Sequence, residues 1–285
     1  MSTHIVNGVE LFVVDSGPSH GEVEDRRPIL FLHGLLWNHR QWEGQMPYFE
    51  RKHRCVAYDH RGQGRSEVPD TPFIDLETAY LDAAALIEQL DLIPCHVVGM
   101  SMGGAVGLRL AARRPELVQS LTVIGAMAGA EESERMPKYK LLIWVARLLG
   151  TRPVVGQLMP IMFSDHYLDS PRIKKSRRRW RSLLASNKPQ IYRAVNGFLY
   201  RPSILGEIGR IAASTLVIQG DRDRAVDSRE GRRIAEEIPR ADFELVDDCG
   251  HMVVLEQPER ANALIGGFID DVEEARAESP MEAAE

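Results

Sequence analysis

Cysteine is scarce. Cys55, Cys95 and Cys249 are too few and too widely spaced to build a disulfide framework or a zinc ribbon, and they read as reduced thiols. No stretch reaches 18 uninterrupted apolar residues, which excludes a membrane-spanning helix. Residues 1–20 lack the basic start and apolar core of a secretory leader, so a soluble, cytoplasmic protein is expected. An excess of basic charge is also missing. The formal net charge of -6 gives no footprint for nucleic acid. What is left, 44% hydrophobic and 27% charged over 285 residues, is an ordinary globular composition with room for one large domain or two smaller ones.

Within that frame the chain opens on HIV, Asn7-Gly8 and VELFVV, a two-residue turn signal between strand-like runs that predicts a hairpin. Short apolar runs then recur: ILFLH, RCVAYD, CHVVGM, LTVIGA, TLVIQG and DFELVD. Helical periodicity lies between them. Over 75–90 it uses Leu76, Ala79, Tyr80, Ala83, Leu86, Ile87 and Leu90, with Asp75 and Thr78 as candidate caps. Strands alternating with helices imply parallel β-α-β units with both sheet faces covered.

The alternation lapses between 131 and 208. That segment holds LLIWVARLLG and RIKKSRRRWRSLLA, and it reads as a helical lid set between 1–130 and 209–271. It carries 15 Lys and Arg against 6 Asp and Glu, a net +9 that leaves -15 for the rest. Residues 272–285 are acidic and Ala-rich and read as a frayed tail.

The segment VVGMSMGG satisfies G-x-S-x-G, with Ser101 between Gly99 and Gly103. A strand, one nucleophile and a helix in immediate succession require a sharp turn. Small neighbours permit that turn, and it presents the hydroxyl near the positive end of the helix. Downstream, Asp223 follows TLVIQG and His251 lies in DCGHM, in the order nucleophile, acid, histidine. Asp221 and Asp227 flank the acid and stay open as alternatives.

With HGLLWNHRQW, YDHRGQGRS, GMSMGG, QGDRD and DCGHMVVLEQPE, the sequence resembles the α/β-hydrolase superfamily. It looks most like the esterase, lactonase and C-C hydrolase branch that includes 3-oxoadipate enol-lactonase-like proteins and perhydrolases. The resemblance implies an α/β fold with a mostly parallel eight-stranded sheet, helices on both faces and the helical lid. Ser101 would be the nucleophile, His251 the general base and acid, and Asp223 the carboxylate that orients it. The backbone N–H groups of Leu35 and Met102 would form the oxyanion hole. It also implies no cofactor and a small-molecule ester or lactone substrate. A C-C bond hydrolase, a perhydrolase or an acyltransferase on the same residues stays open, as does a ligand receptor with little turnover.

Trp37, Met127, Trp144, Met159, Met162 and Phe163 are candidate pocket residues. His33, His39, His53 and His60 match no zinc spacing, so no metal is expected. The stretch 172–181 reads as a solvated helix face behind Ile173, Trp180, Leu183 and Leu184, with recruitment of anions or a surface as the alternative. Self-association stays open.

Overall fold

The runs ILFL, CVAY and CHVVGM are buried at every position because each strand is covered on both faces, which only a central strand of a layered sheet requires. The computed structural model describes residues 1–18, 26–131, 134 and 136–278. Eight strands are present among them: β1 (Ser2–Val6), β2 (Val9–Asp15), β3 (Ile29–Leu32), β4 (Cys55–Tyr58), β5 (Cys95–Met100), β6 (Val118–Ile124), β7 (Ser214–Gly220) and β8 (Ala241–Val246). They lie in the order β1-β2-β4-β3-β5-β6-β7-β8. The pairings of β1 with β2 and of β2 with β4 are antiparallel, and all others are parallel.

The expected hairpin forms. Asn7 and Gly8 have φ of 47° and 79°, the pair of positive values a tight two-residue hairpin turn needs, and Val6 pairs with Val9 across it.

Period-two alternation divides the core. Leu30, Leu32, Val97 and Val123 face helices Leu76–Gln89, Met102–Arg113 and Ser228–Glu237. Ile29, Phe31, Val98, Met100 and Ile124 face the opposite layer, which contains helix Pro258–Glu278. Each such side chain contributes about 1.5–3 kcal/mol by leaving water. Helix Leu76–Gln89 begins at Asp75, whose carboxylate accepts the Thr78 N–H at 2.7 Å. Asp75 is therefore the cap, and Thr78 is the residue it caps.

Between β6 and β7 the chain leaves the sheet for a helical insertion with helices Met136–Leu149, Val155–Met162, Asp165–Asp169, Lys174–Ala185, Tyr192–Leu199 and Leu205–Ile208. Its apolar residues Val155, Phe163, Trp180, Leu184 and Ile191 join the second core layer. Polar ties fasten it to the sheet domain: Asn187 Nδ2 donates to Leu36 O at 2.9 Å, and Met252 N donates to Met162 O at 3.0 Å. On Lys174–Ala185, Trp180, Leu183 and Leu184 are buried, while Lys174, Lys175, Arg178, Arg179 and Arg181 are exposed.

Helix Pro258–Glu278 runs past the boundary expected at 272. Glu273 is buried and bonds His96 Nε2 at 2.9 Å, a long-range anchor that composition does not reveal. Of the expected tail, residues 279–285 lie outside the described residues.

Candidate active site

Ser101 sits between β5 and helix Met102–Arg113 with φ 54° and ψ -114°, a positive-φ conformation that costs a non-glycine residue of order 1–3 kcal/mol. The chain tolerates it because the flanking backbone is packed too closely to relax. A side-chain carbon on Gly99 would collide with the Gly103 carbonyl, and one on Gly103 would collide with the Leu32 carbonyl. The Ser101 N–H donates to Ile124 O at 2.8 Å, which ties the turn to the end of β6.

Two backbone N–H groups beside the serine are available to a ligand. Met102 is the first residue of its helix, so its N–H has no intrahelical acceptor. The second belongs to Leu35, in a loop that abuts the serine: a side-chain carbon on Gly34 would lie 3.4 Å from Ser101 Cβ. In that loop the Gly34 N–H donates to Gln41 Oε1 at 2.9 Å and the Leu36 N–H to Gln63 Oε1 at 2.9 Å. Leu35, between them, has no acceptor among the described residues. Both glutamines are buried, and neither was singled out from the sequence. His33 braces the same loop, donating from Nδ1 to Gly34 O at 2.7 Å and accepting the His60 N–H at Nε2 at 2.9 Å. Burial pushes the His33 imidazole down to about 4, against the smaller pull of Asp59 and the Gly34 carbonyl.

His251 and Asp223 arrive from the loops after β8 and β7. His251 Nδ1 lies 2.8 Å from Asp223 Oδ2, with both side chains buried. An ionised carboxylate only accepts, so Nδ1 carries the proton and Nε2 is left free. Asp223 is fully engaged: Oδ1 accepts the N–H groups of Ala225 and Val226 at 2.7 and 2.9 Å, and Oδ2 also accepts Gln219 Nε2 at 2.8 Å. The flanking aspartates do other work. Asp221 accepts the Cys249 N–H at 3.1 Å, and Asp227 caps helix Ser228–Glu237.

Beneath this pair lies Gly125, at φ 54°, just past the end of β6. A side-chain carbon there would come within 3.2 Å of His251 Nδ1 and 3.4 Å of Asp223 Oδ2. Glu256 supports the histidine loop from behind, accepting the Gly250 N–H at 3.1 Å and the Ser164 hydroxyl at 2.6 Å. Burial raises its carboxyl above the usual range. Cys249 is buried, which pushes its thiol up and suits a packing role.

Ser101 and His251 face one cavity, which encloses about 150 Å³. No hydrogen bond joins the two side chains among the described residues. Of the expected pocket residues, Met127 and Met162 line this cavity, as does Leu35. Trp37, Met159 and Phe163 do not. They are buried where the insertion packs on the sheet domain, with the Trp37 ring 5.6 Å from Trp180 and 6.1 Å from Phe163. Trp144 is 61% exposed, and its helix turns Ile143 and Ala146 to the cavity instead. Among the described residues no three His, Cys, Asp or Glu side chains converge as metal ligands would.

Comparison with known proteins agrees with this architecture. Over 239 residues the chain is 27% identical to 3-oxoadipate enol-lactonase 2 of Acinetobacter baylyi, covering 84% of this chain and 86% of that protein. It is 24% identical over 288 residues to 2-hydroxymuconate semialdehyde hydrolase of Pseudomonas sp., covering 95% and 94%. In fold it is similar to a thermophilic esterase from Thermogutta terrifontis, with a TM-score of 0.86, 23% identity and coverage of 95% and 98%. Residues 27–258 match the family described as "alpha/beta hydrolase fold", and with its strand order, its insertion after β6 and this span of similarity the chain belongs to that family.

Proposed function

We propose that the protein hydrolyses carboxylic esters or lactones through Ser101, His251 and Asp223. The observation that carries this reading is the convergence on one cavity of a serine in a positive-φ turn and a histidine whose other nitrogen is held by a fully bonded carboxylate. Family membership and the esterase and lactonase relatives support it.

In the proposed reaction, Ser101 Oγ attacks the substrate carbonyl carbon while its proton passes to His251 Nε2. The carbonyl π electrons move to oxygen, and the N–H groups of Leu35 and Met102 hold the resulting oxyanion. As the tetrahedral species collapses, the bond to the leaving alkoxide breaks and His251 returns the proton to it. Water then attacks the acyl-serine ester, giving its proton to His251. Collapse expels Ser101, which regains the proton, and the carboxylic acid departs. Asp223 holds the imidazole tautomer and offsets its transient positive charge. The helical insertion acts as the lid over this chemistry.

The test is steady-state hydrolysis of short and medium p-nitrophenyl esters by the wild type and Ser101→Ala, with circular dichroism on both. Loss of the nucleophile costs kcat up to about 10⁶-fold. Folded proteins with equal rates would overturn the assignment.

A further inference from the structure

The cavity that Ser101 and His251 share is lined by apolar groups along its length, among them Leu36, Ile143, Leu158, Ile161, Val195 and Leu199. Among the described residues no lysine or arginine lines it. Its polar lining away from Ser101 and His251 is Thr151, Tyr192 and Glu131. The Thr151 hydroxyl is engaged with Leu184 O at 2.7 Å. Among the described residues Glu131 is therefore the one formally charged side chain that lines it.

The Glu131 side chain is buried, and its Oε2 pairs with Arg201 Nη1 at 3.1 Å, while Oε1 has no hydrogen-bond partner among the described residues. Arg201 does not line the cavity. Its Nε donates to Gly129 O at 3.0 Å, its Nη1 donates to Phe198 O at 2.9 Å, and its guanidinium lies 4.3 Å over the Phe198 ring. The guanidinium is thus held by Gly129 O, Phe198 O and Glu131, with its Nη2 against the Met127 sulfur. Behind this wall a second cavity shares Met127 and Glu131 and is lined by Asp227, Glu230 and Arg233.

We propose that the part of the ester entering this cavity is uncharged and apolar, and that Glu131 is the residue that turns a carboxylate-bearing substrate away. The inference rests on the ester-hydrolysis reading. A carboxylate placed here would be stripped of water among aliphatic side chains, with no lysine or arginine among the described lining residues to receive it and an acid at the wall.

The experiment compares three p-nitrophenyl esters with one leaving group: the hexanoate, the adipate monoester with its free terminal carboxylate, and the adipate methyl ester as a neutral polar control. Ser101→Ala gives the background. Wild type is expected to show kcat/KM for the hexanoate at least about a hundredfold above the free-acid adipate, with the methyl ester within about tenfold of the hexanoate. Glu131→Gln keeps shape and an acceptor for Arg201 but removes the negative charge. It should raise the adipate-to-hexanoate ratio at least about tenfold, while Glu131→Asp keeps the wild-type ratio. Reading a ratio within each variant separates specificity from losses in folded protein. Equal rates on hexanoate and free-acid adipate, with Ser101→Ala inert, would overturn this inference and leave ester hydrolysis standing. An unchanged ratio in Glu131→Gln would remove Glu131 from the proposal. If no ester is turned over above the Ser101→Ala background, the underlying reading fails and takes the inference with it.

Discussion

Gly125→Ala tests whether the His251–Asp223 pair depends on the backbone under it. The glycine has φ 54°, and an alanine forced into a left-handed conformation costs about 1–2 kcal/mol. The added carbon would also stand 3.2 Å from His251 Nδ1, 3.3 Å from His251 Cε1 and 3.4 Å from Asp223 Oδ2, so the imidazole must yield by a few tenths of an ångström. Catalytic geometry holds to within about 0.5 Å, and a displacement of this size should lower kcat by about 10- to 100-fold with little change in KM. Gly8→Ala is the control. It has φ 79° in the β1–β2 turn and nothing within 4 Å of the added carbon, so it carries the backbone cost without the crowding. Urea denaturation should show both variants destabilised by about 1–2 kcal/mol, and p-nitrophenyl ester kinetics should show only Gly125→Ala impaired. A fully active Gly125→Ala, or an equal kinetic loss in Gly8→Ala, would refute the reasoning.

Two further outcomes follow from the same structure. Gln41→Leu and Gln63→Leu each remove the acceptor that fixes a neighbour of Leu35, so on the proposed mechanism kcat should fall about tenfold or more while KM stays close to wild type, because the N–H proposed to hold the oxyanion would act on the transition state; a matched rise in KM would point to a collapsed pocket instead. Stability should fall in mild acid. His33 and His53 are both held down to about 4 by burial. Below their unfolded value of about 6.5 the unfolded chain binds the extra protons. The loss begins near pH 6.5, is complete near pH 4, and reaches about 3 kcal/mol for His33 alone. Urea midpoints that are flat between pH 7 and 4.5 would contradict it.

The mistakes in the sequence reading share a cause. LLIWVARLLG is apolar on nearly every side, so its periodicity carries no mark of which side faces inward, and Ile143 lines the cavity while the expected Trp144 is exposed. Trp37 and Phe163 were legible as large apolar groups near the site, but large rings fill the seam between insertion and sheet equally well. The acidic, Ala-rich stretch after 272 resembles a loose end until Glu273 is seen to reach His96, 177 residues away.

The features that the chain determines through near neighbours were open to reading. Alternation and buried runs specify strands, Asn7-Gly8 specifies a hairpin, and Gly99 beside Ser101 specifies a turn that only a small residue passes, because each follows from sterics within a few residues. The order of serine, aspartate and histidine belongs to this class through family likeness. Only the tertiary structure decided that Gln41 and Gln63 take up the N–H groups on either side of Leu35, that Gln219 and Gly125 seat the His251–Asp223 pair, and that Glu131 stands at the cavity wall. Some of these meetings join residues far apart in the chain, such as Gln63 with Leu36 and Gly125 with His251, and the nearer ones are set by loop conformation, so no local periodicity records them.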